Sequence, residues 1–276
     1  MTTTDLRTEL AFAQEVARRA GTLLADRYEQ VLRVRHKSPR DVVTEVDFAS
    51  ERLVMDAIRD AFPGDAILAE ESGHHRRHRD VKVDSGRSWV LDPLDGTVNY
   101  ANGIPFFCVS LALVGPDGPL VGVVLDPLRD DCYAATAGAA ATLNGQRVTV
   151  SKKERLIDFV VNLAIIGRGG LTRERRVSRE IRIHRRMGSA ALSLAYVANG
   201  RFDAFVQNGG LSPWDVAAAG LIAERAGATI TNLAGGPWWQ PKLRGARLNI
   251  VCAPPAHHAR LVELMAAAGT RVATRR

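Results

Sequence analysis

The segment Trp89-Val90-Leu91-Asp92-Pro93-Leu94-Asp95-Gly96-Thr97-Val98-Asn99-Tyr100 ends an apolar run in a carboxylate and places a second carboxylate three residues later. Strand pairing accounts for Trp89 to Leu91. It does not account for two acids and a glycine in the next five positions. Hard divalent cations bind through oxygens, so two carboxylates fixed by an intervening proline can converge on one ion. Gly96-Thr97 adds backbone N–H groups and a hydroxyl at a candidate helix start, where an anion is favoured. Metal beside phosphate is the arrangement of a Mg²⁺-dependent phosphoesterase. A turn whose aspartates cap a helix explains Asp-Gly-Thr taken alone.

Three further groups can join that pair. Glu70-Glu71-Ser72 follows directly on a short apolar strand. Adjacent acids at a strand end point in different directions, so one can bind metal while the other reaches a second ion or a water. Trp214-Asp215 follows Leu211-Ser212-Pro213 at the start of an apolar helix, where an Asp is most often a helix cap. The polar stretch from His36 to Asp47 supplies Lys37, Asp41, Thr44 and Asp47. The expectation is that Glu70, Asp92, Asp95 and Asp215 gather two or three Mg²⁺ ions. Clustered carboxylates need cations to offset their repulsion, and an oxygen-only donor set selects Mg²⁺ over Zn²⁺. Ions so held would bind phosphate oxygens, lower the pKa of a bound water and stabilise the leaving alkoxide. A phospho-aspartate mechanism would favour an Asp-x-Asp motif, and here two residues separate Asp92 from Asp95.

These residues need a scaffold. The chain has 276 residues, 46% hydrophobic and 24% charged, enough for one large domain or two fused subdomains. No apolar run approaches the roughly 18 residues of a membrane span, and the N-terminus lacks the features of a secretory signal, so a cytoplasmic enzyme is expected. Leu6, Leu10, Ala13, Ala17, Ala20 and Leu24 form one apolar helix face. A second helix is predicted from about Phe48 to Phe62, stopped by Pro63-Gly64. Strands are predicted at 66–68, 88–91, 108–114, 120–125 and 132–136, with a hairpin signal at Gly115-Pro116-Asp117-Gly118 and a tight turn at Asn144-Gly145. That part reads as two helices and an antiparallel meander. The remainder alternates: strands 159–163 and 180–186, helix 190–198, strand 202–206, helix 215–226, strands 229–231 and 248–253, and a closing helix 255–268. The class is α+β, with a mixed α/β second part and a soft boundary dividing 1–146 from 147–276.

The net charge of +7 suits an anionic substrate and would also suit nucleic acid. It concentrates in His74-His75-Arg76-Arg77-His78-Arg79 and in Arg173, Arg175, Arg176, Arg179, Arg182, Arg185 and Arg186. Neither run is interleaved with aromatics, and no nucleic-acid-binding motif is present, so both are read as solvated faces. Cys108, Cys132 and Cys252 match no metal-ligand spacing and read as small buried hydrophobes.

The chain resembles the inositol monophosphatases, within the Mg²⁺-dependent, lithium-sensitive phosphatase superfamily. The resemblance rests on the segment Asp92 to Tyr100, on Glu70-Glu71-Ser72, on Trp214-Asp215-Val216-Ala217-Ala218-Ala219-Gly220, on Gly188-Ser189-Ala190-Ala191, and on Asp41-Val42-Val43-Thr44 with Asp47, in the family's order over nearly the whole chain. It implies a layered αβαβα sandwich, usually a homodimer. It implies that Glu70, Asp92, Asp95, Asp215 and the carbonyl of Leu94 are metal ligands. Glu70 and Thr97 would orient the attacking water, with Asp47 bonded to Thr97. The N–H groups of Gly96 and Thr97 would hold the phosphate, and Lys37, Asp41 and Glu71 the loosest metal. Asp95, Ser189, Ala190, Gln207 and Asp215 would face the substrate.

The family usually carries a Glu shortly before the Trp-Asp motif. Here Gln207 is the counterpart, with one residue inserted before Trp214. Gln can bond a hydroxyl but brings no charge. Arg185 and Arg186 would favour a second anionic group on the substrate, against the alternative of an exposed strand edge. The expected reaction is hydrolysis of a phosphate monoester, inositol 1-phosphate first. Histidinol phosphate, fructose 1,6-bisphosphate and a 3′-phosphonucleotide are alternatives within the same chemistry. A scaffold binding RNA or transcription machinery through its arginine face is the alternative of another class. The stretch 37–47 is expected to be a mobile loop that orders with the last Mg²⁺.

Overall fold

Ala13, Ala17, Ala20 and Leu24 are buried along one side of α1 (Arg7–Arg27), with Leu6 buried at its N-cap, as steps of three and four require. The computed structural model describes residues 5–30, 33–38, 41–75, 85–165, 170–240 and 248–266. The polar stretch expected as a loop instead pairs with itself: β1 (Val34–Ser38) runs antiparallel to β2 (Asp41–Thr44). It leads directly into α2 (Glu45–Ala61), which begins before the predicted Phe48. The cause is a capping box, in which Thr44 Oγ1 accepts from Val46 N and Asp47 Oδ2 accepts the Thr44 N–H at 2.8 Å. Residues 39–40 of this stretch, and Arg76 to Arg79 of the His/Arg run, lie outside the described residues.

The next elements are β3 (Ala66–Ala69), β4 (Gly73–His75), β5 (Ser88–Asp95), the short α3 (Thr97–Ala101), β6 (Cys108–Gly115), β7 (Gly118–Asp126), β8 (Asp131–Thr136), β9 (Thr142–Leu143) and β10 (Gln146–Arg147). They form an eight-stranded sheet in the order β10-β9-β8-β7-β6-β5-β3-β4. Its pairs are antiparallel apart from β3 and β5, which run parallel. The predicted hairpin joins β6 to β7 with Gly115 opposite Gly118. Asn144 and Gly145, at φ 49° and 78°, turn β9 into β10. Two positive φ values in succession are what a two-residue I′ hairpin demands.

The rest of the chain forms β11 (Val160–Ala164), α4 (Gly170–Ser178), β12 (Ile183–Arg185), α5 (Ala190–Val197), β13 (Ala204–Leu211), α6 (Pro213–Arg225), β14 (Thr229–Thr231), β15 (Leu248–Ala253) and α7 (Pro255–Met265). Its five-stranded sheet has the order β12-β11-β13-β15-β14. The first three strands are parallel, and β15 and β14 join antiparallel. The predicted strand 180–186 shrinks to β12, and α4 precedes it unanticipated. Gly170 and Val177 alone are buried along α4, so it shows no apolar period. The solvated-face reading fails for Arg176, which is half-buried and donates to the Ala266 carbonyl at 2.6 Å, tying α4 to the end of α7.

Three hydrophobic clusters separate the layers. Trp89, Leu91, Leu111 and Val123 point toward α1 and α2. Val90, Ala112 and Val124 point the other way, into a cluster with α5 and α6. That cluster also takes Phe205, Ile250 and Cys252 from the second sheet. The opposite face of the second sheet packs Val161, Val206 and Val251 against Val177 of α4 and Leu261 of α7. The order is helices, sheet, helices, sheet, helices, an αβαβα sandwich. α6 approaches β7 closely: a Cβ on Gly122 would stand 2.7 Å from the Ala218 carbonyl oxygen. Only glycine admits that approach. Among the described residues no helix is long and apolar enough to cross a membrane.

Candidate active site

In a regular strand, residues three apart face opposite ways. Asp92 and Asp95 do not, because β5 is bulged between them. Asp92 pairs with Ser110 and Asp95 with Cys108, so three steps on β5 oppose two on β6. The extra residue restores the parity and turns both acids to one side. Pro93, which has no N–H to give the ladder, occupies the bulge. Its carbonyl accepts from Ser50 Oγ at 2.9 Å, and Asp92 Oδ1 accepts from Leu94 N at 3.1 Å. Gly96 then adopts φ 100° as the N-cap of α3, with Thr97 as the first helical residue.

Asp215 reaches the pair from the start of α6, where its Oδ2 accepts from Ser212 N at 2.6 Å. It caps the helix and faces the site at once. One ligand atom from each of Asp92, Asp95 and Asp215 lies within 4.8 Å of the others. Asp95 is anchored from the second half of the chain: its Oδ2 accepts from Ser189 Oγ at 2.7 Å and from Ala191 N at 2.5 Å. Cys108 Sγ lies 3.8 Å from Ser189 Oγ. All three cysteines are free and buried, but Cys108 also borders this site.

Glu70 follows β3, its N–H held by the Leu91 carbonyl at 3.2 Å. It stands beside Asp92 but outside the 4.8 Å trio. Lys37 Nζ bridges Glu70 Oε1 at 2.9 Å and Glu71 Oε1 at 2.5 Å. Asp41 begins β2, and its side chain lies outside the described residues. Thr97 Oγ1 contacts both Asp47 Oδ1 and the Leu94 carbonyl.

The electrostatics follow from burial. Desolvation and the charges of Glu70, Asp95 and Asp215 hold the Asp92 carboxyl well above the usual carboxylate range. Burial and Asp95 do the same to Asp215. Burial pushes Asp95 up to about 6 against the pull of its Ser189 and Ala191 donors. Burial lifts Glu71 to about 7. Burial opposes the Lys37 charge, but Glu70 and Glu71 more than offset it and raise its pKa. Two buried acids, Asp92 and Asp95, and the partly buried Asp215 thus crowd together with only oxygen donors among them. That set fits a hard divalent cation.

A cavity of about 370 Å³ opens beside the acids. Its lining includes Asp95, Asp215, Ser189, Ala190 and Gln207, and adds Arg186, Met187 and Asn162. The sequence reading did not single out Asn162 and named Asn99 only within the segment Asp92 to Tyr100, without a role. Asn162 Oδ1 accepts from Met187 N at 3.2 Å, and Asn99 Nδ2 donates to the Met187 carbonyl at 2.8 Å. An asparagine after an apolar strand run at 162 was the available signal. Gln207 sits where β13 is bulged: four steps from Gln207 to Leu211 oppose two on β15.

The model of the inositol monophosphatase family matches residues 5–270. The chain belongs to this family. Inositol monophosphatase family members are metal-dependent phosphatases, and this one is a phosphoric monoester hydrolase. The inositol-1-monophosphatase of Mesorhizobium japonicum is 37% identical over 230 residues, covering 80% of this chain and 84% of that protein. The Nus factor SuhB of Escherichia coli K12 is 37% identical over 243 residues, covering 82% and 86%. The crystal structure of the extragenic suppressor protein suhB from Bartonella henselae is similar at TM-score 0.85 and 33% identity, covering 94% of this chain and 98% of that one.

Proposed function

We propose that the chain hydrolyses a small phosphate monoester of a polyol with Mg²⁺, inositol 1-phosphate being the first substrate to test. The observation that carries this reading is the trio Asp92, Asp95 and Asp215 beside the cavity. Those three, with Glu70 and the Leu94 carbonyl, would hold two Mg²⁺ ions, and Lys37, Asp41 and Glu71 would serve a third. Bound there, the ions would draw charge from the phosphate and acidify water. Glu70 and Thr97 orient the attacking water, and Asp47 fixes the Thr97 hydroxyl. The N–H groups of Gly96 and Thr97 receive the phosphate. Ser189 holds Asp95 in place, and Ala190, Gln207 and Asp215 face the alcohol. The 1–146 part would supply most ligands and the 147–276 part Asp215 and the specificity residues, in a cytoplasmic, lithium-sensitive homodimer.

Phosphate release from inositol 1-phosphate tests the reading. Release that requires Mg²⁺, stops with chelator and fails in Asp92→Asn is expected. Undiminished release after exhaustive chelation would sink it. Histidinol phosphate, fructose 1,6-bisphosphate and a 3′-phosphonucleotide belong in the same assay.

One observation favours a second reading, an RNA or transcription-machinery scaffold: α4 carries Arg173 and Arg175, Arg179 follows its end, and several relatives carry the name Nus factor SuhB. Charge reversal at Arg173 and Arg175 should abolish RNA retention on a filter and leave ester hydrolysis intact. Arg176 is spared because it anchors α7.

A further inference from the structure

The polar lining of the cavity has two sources. The acids come from β5 and from the start of α6. Asn162, Arg186 and Gln207 come from the second sheet: Asn162 and Gln207 lie within β11 and β13, and Arg186 directly follows β12. These strands run parallel and in register: Asn162 pairs with both Arg185 and Phe205, and Ala164 pairs with Gln207. This second wall holds two amides and one guanidinium, and no carboxylate.

Arg186 differs from its neighbours in the arginine-rich segment. Arg182 is paired with Asp158 at 2.7 Å, Arg176 donates to the Ala266 carbonyl, and Arg185 donates to the His184 carbonyl. Arg186 is the one basic side chain among the described residues lining the cavity. Among the described residues no acid lies within ion-pair distance of it. Its backbone is not left to chance. The adjoining Met187 is held at both polar atoms, by Asn162 on the N–H and by Asn99 on the carbonyl. Gln207, where the family pattern has an acid, donates its amide to the Gly209 carbonyl at 3.1 Å and offers Arg186 no counter-charge.

We infer that this wall receives a second anionic group, so that the preferred substrates are phosphate monoesters carrying another phosphate or a carboxylate, engaged by Arg186. The inference rests on the phosphatase reading of the same site. A guanidinium presents a planar fork of donors that matches a phosphate or carboxylate edge, and a neutral polyol gives it no charge to meet. The split in the lining fits such a ligand: a metal-binding set for the scissile phosphate and a cationic wall for the remote anion.

The test compares esters that share a scissile group and differ by one anion: fructose 1,6-bisphosphate against fructose 1-phosphate, and 2-phosphoglycerate against glycerol 2-phosphate. With Mg²⁺ the wild type should show kcat/KM about tenfold higher for the doubly anionic member of each pair. Arg186→Gln should bring both ratios toward one, Arg186→Lys should recover part of the preference, and Gln207→Glu should lower it. Ratios near one in the wild type, or ratios unaltered in Arg186→Gln, overturn the inference while the phosphatase reading stands. Release from inositol 1-phosphate with none from the four esters overturns the inference alone, and no release from any of the five overturns both.

Discussion

Thr97 Oγ1 lies 2.9 Å from Asp47 Oδ1, a contact spanning fifty positions of sequence. The Leu94 carbonyl is a second acceptor at 3.0 Å. A hydroxyl has one proton to give, and a carboxylate is the stronger acceptor. Asp47 also holds the Thr44 N–H, so one buried side chain joins the start of α2 to the start of α3. Thr97→Val should lower kcat about a hundredfold, and Thr97→Ser should retain most of it. Asp47→Ala should in addition cost about 1 kcal/mol of stability through the lost cap. Steady-state kinetics and urea unfolding separate the two effects.

Asp92→Asn is expected to trade function for stability. Burial and the acids around Asp92 disfavour its charge, so removing that charge should raise the melting temperature of the metal-free protein at pH 7. Mg²⁺ should stabilise the wild type and not the variant. Turnover should fall by at least about a hundredfold, since even residues behind a ligand matter at that level. Calorimetry with and without Mg²⁺ checks both signs.

Gly122→Ala should destabilise by about 1–3 kcal/mol, because the new methyl meets the Ala218 carbonyl oxygen, which is backbone and cannot rotate away. The displaced helix is the one that carries Asp215, so kcat should fall as well. Denaturant unfolding and kinetics on one preparation decide this. A stable, fully active variant would show that α6 can shift without moving its acid.

His258 gives a pH dependence away from the metal-binding acids. It is buried between α7 and β15, with Nε2 3.3 Å from the Val251 carbonyl and 3.1 Å from Thr231 Oγ1. Burial lowers its pKa below the ordinary 6.5. The unfolded chain therefore takes up the proton first as pH falls, and this contribution to stability declines from about pH 6.5 downward. It levels off once folded His258 is also charged. His258→Gln should flatten that part of the curve, measured by urea unfolding at intervals from pH 8 to pH 5.

Much of this was legible in the chain itself. The i, i+3, i+4 face of α1 and the Gly115 to Gly118 hairpin follow from local pattern, and both form as read. Asp92, Asp95 and Asp215 carry a composition that packing cannot explain, and they meet. The misses share a cause. α4 buries too little to show a period. The early start of α2 depends on a Thr44–Asp47 pair that reads equally as loop chemistry. Asn162 and Asn99 act through the backbone of Met187, a contact made only by the fold.

The two bonds that Ser189 and Ala191 give to Asp95 cross from one sheet system to the other. Neither half of the gene is therefore expected to encode a weaker version of the whole: a product truncated ahead of α6 should be inert, and a shuffled rear half should work only if it keeps that serine and that amide in step with the front aspartate. New preferences in this lineage are therefore expected to arise by point changes around the cavity rather than by exchange of large segments.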